Sequence, residues 1–438
     1  MAFLTSSDKA LWHLALPMIF SNITVPLLGL VDTAVIGHLD SPVYLGGVAV
    51  GATATSFLFM LLLFLRMSTT GLTAQAYGAK NPQALARALV QPLLLALGAG
   101  ALIALLRTPI IDLALHIVGG SEAVLEQARR FLEIRWLSAP ASLANLVLLG
   151  WLLGVQYARA PVILLVVGNI LNIVLDVWLV MGLHMNVQGA ALATVIAEYA
   201  TLLIGLLMVR KILKLRGISG EMLKTAWRGN FRRLLALNRD IMLRSLLLQL
   251  CFGAITVLGA RLGSDIIAVN AVLMTLLTFT AYALDGFAYA VEAHSGQAYG
   301  ARDGSQLLDG WCRQSGIVAL LFSVVYLLAG EHIIALLTSL TQIQELADRY
   351  LIWQVILPLV GVWCYLLDGM FIGATRAAEM RNSMAVAAAG FALTLLTLPW
   401  LGNHGVWLAL TVFLALRGLS LAAIWRRHWR NGTWFAAT

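Results

Sequence analysis

The chain has 438 residues, of which 60% are hydrophobic and only 11% charged, and its net charge is +8. Soluble domains carry about 25% charged residues, so this composition excludes an ordinary soluble protein. It is typical of an integral membrane protein.

Long apolar stretches separated by short polar turns run through the whole chain. Each stretch can cross a bilayer, which takes about 20 residues. They predict an all-α bundle of twelve transmembrane helices, because helices satisfy every backbone hydrogen bond internally. The predicted spans cover residues 11–37, 44–77, 83–106, 127–154, 161–183, 188–213, 239–262, 266–299, 306–338, 343–373, 382–401 and 404–426.

The basic residues fall on alternate loops, so the positive charge indicates topology rather than a nucleic-acid site. Residues 210–239 form the most basic segment, and Arg426, Arg427 and Arg430 follow the last span. Because Lys and Arg stay on the cytoplasmic side, we predict that both termini are cytoplasmic. We expect contact with membrane lipids and no nucleic-acid partner.

Internal repeats indicate that the chain is a duplication. The segment AQAYGAKN at 74–81 recurs as GQAYGARD at 296–303, and LLGWLLGVQYARA at 148–160 recurs as LLDGMFIGATRAA at 366–378. An even number of spans separates the copies, which predicts two pseudo-symmetric six-helix bundles of parallel topology. Paired bundles that alternate access to a central site are a recurrent transporter architecture.

The repeat also predicts the domain boundaries. We assign residues 1–209 to an N-lobe with helices 1–6, and residues 240–438 to a C-lobe with helices 7–12. The basic segment 210–239 is then a cytoplasmic connector.

Polar residues inside the fifth and sixth spans are candidates for a binding site. Asn172 and Asp176 share one face of the fifth predicted helix, and Thr194 and Glu198 lie one turn apart in the sixth. Carboxylate, amide and hydroxyl oxygens suit a hard cation such as Na⁺, or a proton shared with water. The alternative is that these side chains only link helices.

Asp32 lies near the end of the first span, where a charge is costly and therefore a functional candidate. Pro17 and Pro26 precede it, and each proline permits a helix to bend. We hypothesise that protonation of this acid bends helix 1 and expels a bound cation.

Further charges inside the predicted C-lobe spans are also candidates, namely Asp285, Glu292, Asp368 and Arg417. Asp285 and Asp368 both occur in the sequence LDG. A structural ion pair with Arg417 or Arg66 is the alternative to a role in transport.

Several of these segments together resemble the multidrug and toxic compound extrusion (MATE) transporters, and in particular their DinF branch. The matching features are VDT at 31–33, NIVLD at 172–176, LLDGMFIGATR at 366–376 and the six-plus-six repeat. The resemblance implies a V-shaped, two-lobe, monomeric transporter in the bacterial inner membrane. It also implies expression in the SOS response.

The resemblance further implies efflux of cationic or amphipathic organic compounds in exchange for H⁺ or Na⁺, with no other cofactor. Asp32, Asn172, Asp176 and Thr194 match the family's N-lobe cation site, which could hold Na⁺. Pro17 matches the proline at which helix 1 bends.

The C-lobe departs from the sodium-linked NorM-type branch of the family. Asp368 matches that branch's aspartate on helix 10, but helix 7 carries Gln249 and no glutamate in the membrane. This difference favours coupling in the N-lobe, with H⁺ ahead of Na⁺.

Two other functions compete with efflux. A flippase for lipid-linked saccharides would need a basic cavity, whereas the candidate residues here are mostly acidic. An intramembrane aspartyl enzyme is disfavoured because no GxGD segment is present and catalysis does not require a duplicated bundle. We therefore expect a transporter and not an enzyme.

Overall fold

The structure is a computed structural model that describes residues 6–37, 42–229, 231–302, 309–338 and 340–435. Within these ranges, some side chains lie outside the described set, among them those of residues 23–34. The described residues form helices and turns, with no strand among them. This confirms the all-α fold predicted from the sequence.

The chain divides into two compact units. One unit comprises Ile23–Leu235, and the other comprises Met1–Asn22 together with Ala236–Thr438. The sequence repeat places the first division near residue 209 and assigns all of helix 1 to the first half. In the structure, the first part of helix 1 groups with the C-terminal residues instead.

Helix α1 spans Ser6–Gly37 and is shared by the two units. The unit of Ile23–Leu235 then contains α2 (Pro42–Leu62), α3 (Phe64–Gly78), α4 (Pro82–Leu105), α5 (Arg107–Val118), α6 (Glu122–Arg135), α7 (Ala139–Gly154), α8 (Arg159–Asp176), α9 (Asn186–Leu215) and α10 (Gly220–Thr225). The C-terminal residues form α11 (Arg232–Arg261), α12 (Ser264–Ala301), α13 (Asp309–Leu337), α14 (Thr341–Gly373), α15 (Ala377–Thr394), α16 (Leu398–Leu401) and α17 (Asn403–Asn431).

Ten helical segments among the described residues are long and apolar enough to cross a membrane. Their outer surfaces carry large apolar side chains, such as Leu105 and Leu336, which are 80% and 87% exposed. Water would disfavour such a surface, whereas lipid matches it.

The structure differs from the sequence prediction where a predicted helix is interrupted or where an extra helix appears. Short 3₁₀ turns at Trp136–Ser138 and Leu395–Thr397 interrupt the fourth and eleventh predicted spans. In both cases the helix restarts with a proline in its first turn, Pro140 or Pro399, which cannot donate a backbone hydrogen bond. The helices α5 and α10 were not predicted.

The duplication is visible in how each unit packs its helices. Gly150 on α7 and Gly369 on α14 occupy equivalent places in the two units, because each lies six residues before the residue of positive φ that follows its helix, Gln156 or Thr375. A Cβ on Gly150 would lie 2.6 Å from the backbone oxygen of Arg66 on α3, and one on Gly369 would lie 2.7 Å from that of Ala288 on α12. Small residues that let two helix backbones approach closely are a common packing device in membranes.

The turns repeat as well. Gln156 and Thr375 end the helices α7 and α14 with φ of 63° and 55°, and Lys80 and Arg302 follow α3 and α12 with φ of 53° and 55°. Few non-glycine residues adopt this left-handed conformation. Its occurrence at matching places in both halves supports the duplication.

The first part of α1 packs on the C-terminal unit. The Trp12 ring lies 5.4 Å from the Phe287 ring, the Trp12 indole donates to Gln314 over 2.8 Å, and the Asn22 amide donates to the Tyr282 carbonyl over 3.2 Å. Four of these five residues lie on α1 and α12, and Gln314 lies on α13. These contacts explain why Met1–Asn22 belongs to this unit.

We predict that Gly150→Ala lowers the free energy of unfolding by about 1–3 kcal/mol, because the added methyl group overpacks the α3–α7 contact. Gly98→Ala is the matched control, since a Cβ there meets nothing within 4 Å. Alanine at an exposed helix position should leave stability unchanged or raise it by up to about 1 kcal/mol. Thermal unfolding of the purified proteins in detergent measures both, and equal melting temperatures would contradict the prediction.

Candidate functional site

The polar face of α8 points into the protein. Asn172 and Asp176 are only 3% and 1% exposed, whereas Ile170, Val174 and Val177 on the other face are 57%, 58% and 47% exposed. The helix therefore presents apolar side chains outward and keeps its acid inside, away from lipid. This orientation agrees with the shared face predicted from their spacing.

Asn172 links α8 to α9. Its amide nitrogen donates to the Thr194 hydroxyl over 3.4 Å, and that hydroxyl donates to the Ala190 carbonyl over 3.2 Å. The Asn172 amide oxygen is buried and has no hydrogen-bond partner among the described residues. A buried acceptor of this kind is costly unless it binds a proton donor or a cation.

The carboxylate of Asp176 is at the end of the regular part of α8. Both of its oxygens are buried, and the residue has contacts of its own. Directly after it, residues Val177–Gly182 form a π-helical turn, in which the Leu183 amide donates to the Trp178 carbonyl over 2.9 Å. Single π turns inside α-helices frequently occur at functional sites.

Glu198 is bound by a side chain that the sequence analysis missed. The Asn145 amide on α7 donates to the Glu198 carboxylate over 3.0 Å and to its backbone carbonyl over 3.1 Å. An asparagine within an apolar span is the signal that could have indicated this contact. Asn145, Glu198, Thr194, Asn172 and Asp176 thus supply polar groups on three neighbouring helices, α7, α8 and α9.

Pro26 and Asp32 on α1 are two of the predicted site residues, and their side chains are not among those that the structure describes. Their proposed roles stay predictions. Pro17 is described: its carbonyl accepts a hydrogen bond from the Ser21 hydroxyl over 2.7 Å. The helix assignment continues through both prolines, so bending of helix 1 is likewise a prediction.

Among the C-terminal candidates, Asp368 forms a buried ion-pair cluster. Its Oδ2 accepts hydrogen bonds from Arg417 and, over 2.6 Å, from Arg244. The ion pair with Arg417 agrees with the structural alternative considered from the sequence. Arg244 was missed, because nothing in its own segment indicates that α11 brings it to α14.

The other two intramembrane candidates lie in different surroundings. Asp285 is half-buried on α12, close enough to Arg417, Asp368, Arg244 and Glu292 to interact with their charges. Arg66 is buried in the unit of Ile23–Leu235, where it donates to the Thr70 hydroxyl over 3.3 Å.

No group of three or more His, Cys, Asp or Glu side chains in the described part of the chain is arranged to hold a metal ion. The predicted Na⁺ site uses amide and hydroxyl oxygens and includes Asp32. It therefore stays a prediction.

Comparison with known proteins identifies the family. The MatE family model matches residues 17–178 and again residues 241–401, once in each half. The chain is 98% identical to "DNA damage-inducible protein F" of Escherichia coli strain K12, over 100% of this chain and 96% of that protein. It is 26% identical to "Probable multidrug resistance protein NorM" of Thermotoga maritima, over 84% of this chain and 79% of that protein.

The fold matches solved structures of the same kind. "Crystal structure of MATE in the straight conformation" aligns with a TM-score of 0.85 at 20% identity, covering 98% of both chains. At this identity the likeness shows the fold alone, and it agrees with the multi-pass helical architecture. The chain therefore belongs to the MatE family, a family of membrane transporters and not of enzymes.

Proposed function

We propose that this protein is a secondary active multidrug efflux transporter that exports cationic or amphipathic organic compounds in exchange for protons, with Na⁺ as the less favoured coupling ion. The observation that carries the proposal is the buried Asp176 carboxylate beside the unsatisfied amide oxygen of Asn172. Relatives named for multidrug resistance support the general activity.

The donor atoms at this site favour a positively charged ligand. Asp176 and Asn172 lie one turn apart on α8, and both present oxygen acceptors inside the membrane-spanning region. The Thr194 hydroxyl already donates its hydrogen to Ala190, so it can offer only a lone pair. A proton on Asp176 would turn the carboxylate into a donor and remove a buried charge.

Proton coupling then needs an element that responds to the charge at this site. The end of α1 packs in the same apolar cluster as the π turn and the start of α9, through Val35, Ile36, Val180 and Val187. By helical spacing, Asp32 shares a face with Ile36. We propose that Asp32 joins Asp176 as a second proton-binding acid. We further propose that protonation of these two acids causes α1 to bend at Pro17 and Pro26.

The setting we propose is the bacterial inner membrane, with both termini cytoplasmic and the protein acting as a monomer. The basic residues after the last span, which include Arg426, Arg427 and Arg430, support this orientation. Small organic cations would compete with protons for the same acidic site, which gives exchange rather than joint transport.

We predict that Asp176→Asn abolishes proton-driven efflux, because a neutral amide cannot release a proton to the opposite side. Ethidium efflux from proteoliposomes, with H⁺ and Na⁺ gradients imposed separately, measures the loss and identifies the ion. Asp32→Asn should have the same effect. Glu126→Gln is the matched control, since that acid is exposed on α6 and pairs with Arg130. Undiminished efflux by a folded Asp176→Asn protein would contradict the proposal.

We also predict that Asn145→Ala lowers the free energy of unfolding by about 1–3 kcal/mol, because it removes the donor that satisfies the Glu198 carboxylate. Glu198→Gln should leave stability nearly unchanged, since glutamine offers an acceptor oxygen in the same place. Thermal unfolding in detergent compares the two variants. A larger loss in Glu198→Gln than in Asn145→Ala would show that the hydrogen bond is not what stabilises this contact.

A further inference from the structure

Three buried charged side chains of the C-terminal unit form ion pairs with one another. Arg244 on α11, Asp368 on α14 and Arg417 on α17 are 5%, 6% and 3% exposed. Both guanidinium groups donate to the same carboxylate oxygen, Oδ2 of Asp368. Two fixed cations therefore surround one acid, at a depth where an unpaired carboxylate would bind a proton or a metal cation.

The position of Arg417 is fixed by its neighbours. Its guanidinium lies over the rings of Phe413 and Tyr365, with 5.5 and 6.0 Å between the guanidinium carbon and the ring centroids. Aromatic faces attract a cation, and burial between them strengthens that attraction. Arg417 is thus held beside Asp368 by packing as well as by charge.

Other charged side chains lie near the Asp368 cluster. Asp285 on α12 interacts electrostatically with Asp368 and with both arginines. Glu292, two turns further along α12, also interacts with Asp285 and has contacts of its own. Because the arginines are covalently part of the chain, their effective concentration at Asp368 greatly exceeds that of a dissolved cation.

We propose that Arg244 and Arg417 are ion-specificity residues. They act as built-in counter-cations that keep Asp368 ionised and exclude H⁺ and Na⁺ from it, so that the C-terminal unit carries no exchangeable cation at this acid. This inference rests on the proposed antiport, and it places the coupling ion at the site around Asp176 and not at Asp368.

The test is the reaction of dicyclohexylcarbodiimide, which modifies protonated carboxyl groups in apolar surroundings, followed by peptide mass spectrometry. In the full-length protein we expect adducts at Asp176 and none at Asp368. In Arg244→Gln/Arg417→Gln, the unpaired Asp368 must take up a proton, and we expect it to react as strongly as Asp176. Arg381→Gln, which breaks the 2.6 Å pair with Asp240 elsewhere in the same unit, should leave Asp368 unreactive.

Each outcome decides the proposal. Labelling of Asp368 in the unsubstituted protein, reduced by added Na⁺, would overturn it, because the acid would then be exchangeable. A folded double variant with Asp368 still unreactive would overturn it too. If the double variant does not fold, the labelling of Asp368 relative to Asp176 in the unsubstituted protein still tests the proposal.

The same experiment separates this inference from the proposed antiport. An unlabelled Asp176 would count against the proposed coupling site. The gain of labelling at Asp368 on loss of its arginines would still support the role of Arg244 and Arg417.

Discussion

A carboxylate in the membrane interior must be neutralised within the protein, and the two units meet this constraint differently. On α8, Asp176 lies one turn from the unsatisfied amide oxygen of Asn172, whereas Asp368 accepts hydrogen bonds from two guanidinium groups. We propose that these fixed guanidinium groups occupy the place of a mobile cation at Asp368. The proposed difference between the two acids rests on these neighbours.

The two units differ in the surroundings of their buried acids although they share the same helix contacts. Gly150 and Gly369 permit the same close helix contact in each unit, and Gln156 and Thr375 adopt the same left-handed turn after it. Backbone contacts of this kind tolerate few side chains, so both copies retain them. Charged residues at other positions can differ between the copies without disturbing the helix packing, and the buried acids do differ.

Much of the fold could be predicted because span length and apolar composition depend only on the local sequence. That Asn172 and Asp176 share one face of α8 also followed from helical spacing. The contact of Arg244 with Asp368 could not be predicted, since it joins α11 to α14 across 124 residues. The π turn after Asp176 likewise depends on tertiary packing, which no local pattern encodes. Asn145 within an apolar span indicates a polar contact, but its partner Glu198 also depends on tertiary packing.

The sequence repeats do not predict that α1 is divided between the two units. Its first part is held by Phe287 and Gln314 in the C-terminal unit, while Val35 and Ile36 pack with Val180 of the π turn. One helix therefore belongs to both units, its first part to one and its end to the other. A bend in α1 is part of the mechanism that we propose. Prolines at positions 17 and 26 are where such a bend costs least, because each lacks a backbone donor.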